Sequence, residues 1–136
     1  MNMMKSLLSI VAALLLFACA GQKKMSNSKP EDLYNQTWKL VRMNDAVVDT
    51  GRGPFLQFEN SKVFGNAGCN RLSGDVTFAE NGSIRFGMLV TTKMACPGLS
   101  TETEFLEVLR IADHYVVEGN RLSLIKDGKV LAELRS

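Results

Sequence analysis

The stretch GDVTFAENGSIRFGM, Gly74 to Met88, reads as two strands and the turn that joins them. Val76 and Phe78 share one face of the first run, and Ile84, Phe86 and Met88 share one face of the second, with polar residues between them. Such period-two alternation marks a half-buried strand. Between the runs, Asn81-Gly82 supplies the pair that accepts the positive φ angles of a tight hairpin turn.

The same pattern extends outward in both directions. FLQFE (Phe55 to Glu59) places Leu56 and Phe58 together, while RLSLIKDGKVLAELR (Arg121 to Arg135) reads as Leu122 and Leu124, an Asp127-Gly128 turn, then Val130, Ala132 and Leu134. Eight candidate strands emerge: Gln36–Met43, Pro54–Glu59, Lys62–Gly68, Gly74–Ala79, Ser83–Met88, His114–Glu118, Arg121–Lys126 and Lys129–Arg135. At about this number a sheet tends to curl or close. One segment breaks the pattern: STETEFLEVLRIADHY gathers Phe105, Leu106, Val108, Leu109 and Ala112 on one helical face and leaves Glu104, Glu107 and Arg110 outside it. Thr101 and Glu104 have capping-box spacing, and Pro97-Gly98 parts the helix from the strand before it. The expected class is therefore mainly β with one helix (α+β), a small open antiparallel barrel plugged or flanked by that helix. A flatter two-layer sheet crossed by the helix is the alternative.

The chain start carries a processing signal. Lys5 precedes the apolar run LLSIVAALLLF, Leu7 to Phe17, which is signal-peptide length and too short to span a bilayer. The run ends in LFAC, which resembles the bacterial lipobox, although Phe17 departs from its usual small or aliphatic residue. That resemblance implies cleavage before Cys19, acylation of Cys19 by palmitate-type chains and, because Ala20 is not aspartate, sorting to the outer membrane, on its periplasmic face or at the cell surface. An ordinary secretory signal is the other reading. The expected organisation is a signal peptide over 1–18, a flexible tether over 19–30 and one domain over 31–136. GQKKMSNSKP, Gly21 to Pro30, is polar and without aromatics, as a tether should be. Lys23 and Lys24 in it are solvated charges that could touch lipid headgroups.

Of the 136 residues, 16 are basic and 14 acidic, and Lys5 leaves with the signal. So even a balance provides no electrostatic footprint for nucleic acid. With one histidine, His114, at the helix-to-strand junction, a Cys-His nucleophilic pair lacks an orienting third group. The cysteines lack CxxC spacing and no carboxylate cluster completes a metal set. GRG, Gly51 to Gly53, lacks phosphate-loop spacing and reads as a loop. No catalytic residue, metal or cofactor is expected. Trp38 and the phenylalanines are core candidates, although a cleft beside the helix could accept a lipid or a hydrophobic peptide.

Taken in order, GNAGCNRLSGDV, TTKMACP, ETEFLEVL and HYVVEGNRLSLIKDG resemble the META domain, the HslJ-like heat-shock lipoprotein family of bacteria, from about Leu33 to Leu134. The resemblance implies a barrel-like, often lipid-anchored domain linked with heat shock and novobiocin resistance, and no enzyme chemistry. Gly68, Cys69, Asn70 and Gly74 match its first motif, and Thr92, Met94, Ala95 and Cys96 its second. In GCNRLSG, Asn70 suits a turn or left-handed conformation and Arg71 suits solvent. Acylation of Cys19 would leave Cys69 and Cys96 as an even pair in a compartment where disulfides persist. They are expected either as a bridge or as two buried free thiols. Two functions follow: a non-enzymatic envelope lipoprotein that binds a protein or envelope component in stress tolerance, or a carrier of an apolar ligand or partner segment resembling the secretion pilots. Cys19→Ser should abolish acylation and release the protein from membranes, as measured by fractionation in high salt. Persistence in the membrane fraction would place the anchor elsewhere.

Overall fold

The computed structural model describes residues 27–48, 51, 53–97 and 99–136, so Cys19, Lys23, Lys24, Arg52 and Gly98 lie outside the described residues. Nine antiparallel strands form one sheet: β1 (Trp38–Met43), β2 (Ala46–Val47), β3 (Phe55–Glu59), β4 (Lys62–Asn66), β5 (Arg71–Ala79), β6 (Ser83–Thr91), β7 (His114–Glu118), β8 (Arg121–Lys126) and β9 (Lys129–Arg135). Eight of them stand in a ring, and β2 is paired only to β1. The two-residue β2, whose residues are both exposed, is the strand that alternation does not reveal. β1 pairs with β3 on one side and β9 on the other, which closes the ring. At the β6–β7 seam only Ser83 and His114 pair, and the strands then diverge. Helix α1 (Leu99–Ile111) packs against β6 and β8. This is the open, barrel-like α+β architecture rather than the flatter sheet.

The core follows the alternation where the ladder is regular. Trp38, Leu40, Leu56, Val63, Val76, Phe105, Leu109, Tyr115, Leu122, Leu124 and Leu134 are all essentially without solvent contact. The Trp38 indole N–H donates to the Leu33 carbonyl at 3.0 Å, so a large ring is buried without leaving its donor unpaired. Ser28 falls in the stretch expected as tether but is buried: its hydroxyl accepts the Val117 N–H at 2.8 Å, and the Tyr115 hydroxyl donates to its carbonyl at 3.4 Å. Burial, together with the nearby Asp32 and Glu31 carboxylates, pushes the Tyr115 phenol up to about 12. Every buried side chain among the described residues lies between Ser28 and Leu134, and the sheet closes within that span.

Two β-bulges overturn face assignments made from alternation. Val76 pairs with Phe86 and Gly74 with Leu89, so Gly87 and Met88 together oppose Asp75. The extra residue reverses parity. Met88, expected beside Ile84 and Phe86 in the core, is instead 84% exposed, and Leu89 turns toward the interior. Likewise Leu124 pairs with Ala132 but Ile125 with Val130; Leu131 packs on the core and Val130 is exposed.

Gly74 permits the first bulge, because a Cβ there would lie 2.5 Å from the Met88 carbonyl oxygen and 2.8 Å from Leu89 Cδ2. Gly74→Ala should lower stability by about 1–3 kcal/mol in urea denaturation, since backbone must shift to admit the methyl group. An unchanged midpoint would show that the bulge relaxes freely.

Candidate functional site

The family motifs converge on one end of the ring. The β4–β5 connection and the chain leaving β6 are held there by two buried polar side chains, Asn70 and Glu102. Glu102 Oε2 accepts the backbone N–H groups of Cys69 at 3.0 Å and Asn70 at 2.6 Å, and its Oε1 accepts Asn70 Nδ2 at 2.8 Å. Asn70 Oδ1 in turn accepts the Thr92 hydroxyl at 2.9 Å and the Met94 N–H at 2.7 Å, and Nδ2 also donates to the Met94 carbonyl at 3.3 Å. Burial raises the carboxyl of Glu102, and the donors from Asn70 and Cys69 outweigh it, so the group lies below its ordinary 4.5. A buried carboxylate is tolerable only with such donors.

Cys69 and Cys96 are joined by a disulfide, with Cα atoms 5.9 Å apart across 27 positions. Closing a loop of this length is worth about 3.5 kcal/mol in the chain-entropy model. Gly68 has φ +139, and a Cβ on it would touch the backbone and Cβ of Glu102. Thus Gly68, Cys69, Asn70, Thr92, Met94 and Cys96 share one structural knot, with exposed Ala95 inside its loop and Gly74 serving the bulge. Of the turn or left-handed conformation expected of Asn70, the chain takes a bend there without positive φ, and the side chain is the hub. The capping box also fails. The helix begins at Leu99, Thr101 sits inside its first turn and Glu104 is exposed. The decisive residue is Glu102, whose side chain turns to Cys69 and Asn70. Its only sequence signal is one of the two carboxylates in TETE, indistinguishable there from surface charge.

Beside the knot, the outer face of β3–β6 carries exposed apolar side chains. Gln57, Phe64, Ser73 and Val90 form one cross-strand row, and Phe55, Asn66 and Arg71 form the next. Phe64, Met88, Val90 and Met94 are 42%, 84%, 62% and 57% exposed. A shallow groove of about 510 Å³ runs between Phe64 and Val90 and reaches Arg71 and Thr92. Both backbone polar groups of Met94 are tied to Asn70, so the knot fixes where that side chain emerges.

The second concavity, about 870 Å³, lies at the β6–β7 seam beside the helix, with Phe78, Ile84, Phe86 and Ile111 below Arg85, Arg110, His114 and Lys126. Most of its charges are engaged. Arg110 grips Glu107, while Asp113 meets His114 at 2.9 Å and Lys126 at 3.0 Å. The His114 hydrogen bond and the Lys126 charge hold the Asp113 carboxyl down at about 2. Neither cysteine retains a thiol for His114 to activate. Among the described residues no group of three or more potential metal ligands gathers.

Fold and knot define a class: a small antiparallel ring with one helix, stapled at the helix end and bearing an apolar outer face. The chain belongs to the META domain family, whose pattern matches residues 31–136. Among solved structures it is similar to a protein from Burkholderia xenovorans determined by NMR, at 28% identity and TM-score 0.63 over 79% of this chain and 86% of that one. A second protein determined by NMR matches at 25% identity and TM-score 0.63 over 78% and 93%. A DUF4847 family protein from Bacteroides vulgatus, at 16% identity and TM-score 0.59 over 77% and 94%, shares the fold. No curated protein matches the chain.

Glu102→Gln preserves shape but must set an amide N–H₂ against either the two backbone donors or Asn70 Nδ2. It should cost about 1–3 kcal/mol in urea denaturation. The pH dependence has a definite sign: a carboxyl depressed by folding stabilises above its unfolded value of 4.5, and that contribution fades as pH falls through the lower folded value. Wild type should therefore lose stability below about pH 4.5 more steeply than Glu102→Gln; parallel curves would remove Glu102 as the cause.

Proposed function

We infer that this META domain protein is an exported, lipid-anchored component of the bacterial outer membrane, on its periplasmic face or at the cell surface. It acts by binding rather than catalysis, in tolerance of heat and novobiocin-type stress. The observation that carries the binding role is the exposed apolar face of Phe64, Met88, Val90 and Met94, set on a sheet that a disulfide and a buried hydrogen-bond knot hold rigid. Large exposed apolar side chains gathered on one face mark an interaction surface. The lipobox-like LFAC motif and the family membership support the location and the stress role. The carrier reading is weaker, because side chains with no solvent contact fill the ring interior where an apolar ligand would sit.

The test is genetic. A strain lacking the protein should be more sensitive to heat and to hydrophobic antibiotics, with tolerance restored by the wild type and not by Met88→Glu/Val90→Glu, whose abundance is checked by immunoblot. Full restoration by that variant would sink the binding role of this face, and unaltered tolerance in the deletion strain would sink the stress role.

A further inference from the structure

We propose that the outer face of β3–β6 docks flat on an anionic phospholipid surface, with Phe64, Met88, Val90 and Met94 entering the headgroup region and a ring of cations meeting the lipid charge. The proposal rests on the binding role inferred for this face and names its partner. Its first support is charge placement. Around the apolar tips stand Lys39, Lys62, Arg71, Arg85 and Lys93 against only Glu59 and Asp75, while the other described residues hold seven cations and eleven carboxylates. A chain that is nearly neutral as a whole thus presents a cationic face and an acidic remainder.

Those cations are available. Lys62 pairs with Asp75, but the side chains of Lys39, Arg71, Arg85 and Lys93 make no ion pair among the described residues. Unneutralised cations around exposed apolar side chains are the chemistry of a membrane-surface contact, each worth about fivefold in partitioning onto an anionic bilayer. Shape points the same way. The tips emerge from the outside of a curved sheet, separated by small Ser73, and Met88 and Val90 stand well clear of it. Apart from the shallow groove between Phe64 and Val90, that surface offers a partner protein little to enclose and suits a deformable interface. Anchoring would strengthen a weak contact. From Cys19 to Ser28 is nine residues, at most about 30 Å of extended chain, so an acylated protein would keep this face at high effective concentration over its own bilayer.

The experiment uses the chain from residue 19 onward carrying Cys19→Ser, so that neither the signal segment nor an acyl chain contributes. Vesicles of phosphatidylethanolamine with phosphatidylglycerol are compared with vesicles of phosphatidylcholine alone, by co-sedimentation. Binding to the anionic vesicles should be about tenfold tighter or more and should fall steeply in high salt. Met88→Glu/Val90→Glu and Arg71→Glu/Arg85→Glu should each weaken it about tenfold or more. Val47→Glu, at a residue 82% exposed on β2 and away from this face, should leave it unchanged. Circular dichroism establishes that each variant folds. Failure of the wild type to bind, or binding that survives both double substitutions, overturns the proposal. If vesicles are ignored while the face cross-links in cells to a protein, the lipid partner is wrong and the binding role of the face stands; if Met88→Glu/Val90→Glu changes neither cross-linking nor tolerance, the binding role falls with it.

Discussion

The carboxylate of Glu102 is the constraint on which the far end of the ring depends. Placed in the first turn of α1, it receives the N–H groups of Cys69 and Asn70 that the β4–β5 connection cannot satisfy in a ladder, and it orients the Asn70 amide. Asn70 then has one geometry open to it, with Oδ1 facing Thr92 and Met94. One buried charge thereby ties the helix, the turn after β4 and the strand exit after β6 to each other. The Cys69–Cys96 bridge spans the same junction covalently. Hydrogen bonds set the geometry, and the bridge limits how far the unfolded chain can depart from it.

The seam explains why such a knot is needed. With β6 and β7 joined at one residue pair, most of β6 has no neighbouring strand on that side, and α1 packs there instead. A helix cannot extend a β-ladder, so it is held by the apolar contacts of Phe105, Val108 and Leu109 and, at its start, by Glu102. The β6 bulge belongs to the same region. It shifts Met88 outward next to Val90 and so builds the exposed face from residues whose type suits a core.

Much of this was legible in the residues themselves. Alternation located eight of the nine strands, the Asn81-Gly82 and Asp127-Gly128 turns take the expected positive φ, and the helix buries the face formed by Phe105, Val108 and Leu109. Such features are local: side-chain period and turn chemistry act over a few residues and need no knowledge of the partner. The motifs that identify the META family were equally visible, as ordered segments of sequence.

What tertiary structure alone decided is where the periodicity is broken and which polar group is buried. A bulge is a mismatch between two strands, so neither strand's sequence declares it; Met88 and Val130 read as core and stand in solvent because Asp75 faces two residues and because Leu131 takes the inward place in β9. Glu102 is chemically identical to Glu104 in the same TETE run, yet only Glu102 faces the β4–β5 connection, where backbone N–H groups lack other acceptors. Burial of a charge is fixed by donors that arrive from 32 and 33 residues away, and no local reading of the chain contains them.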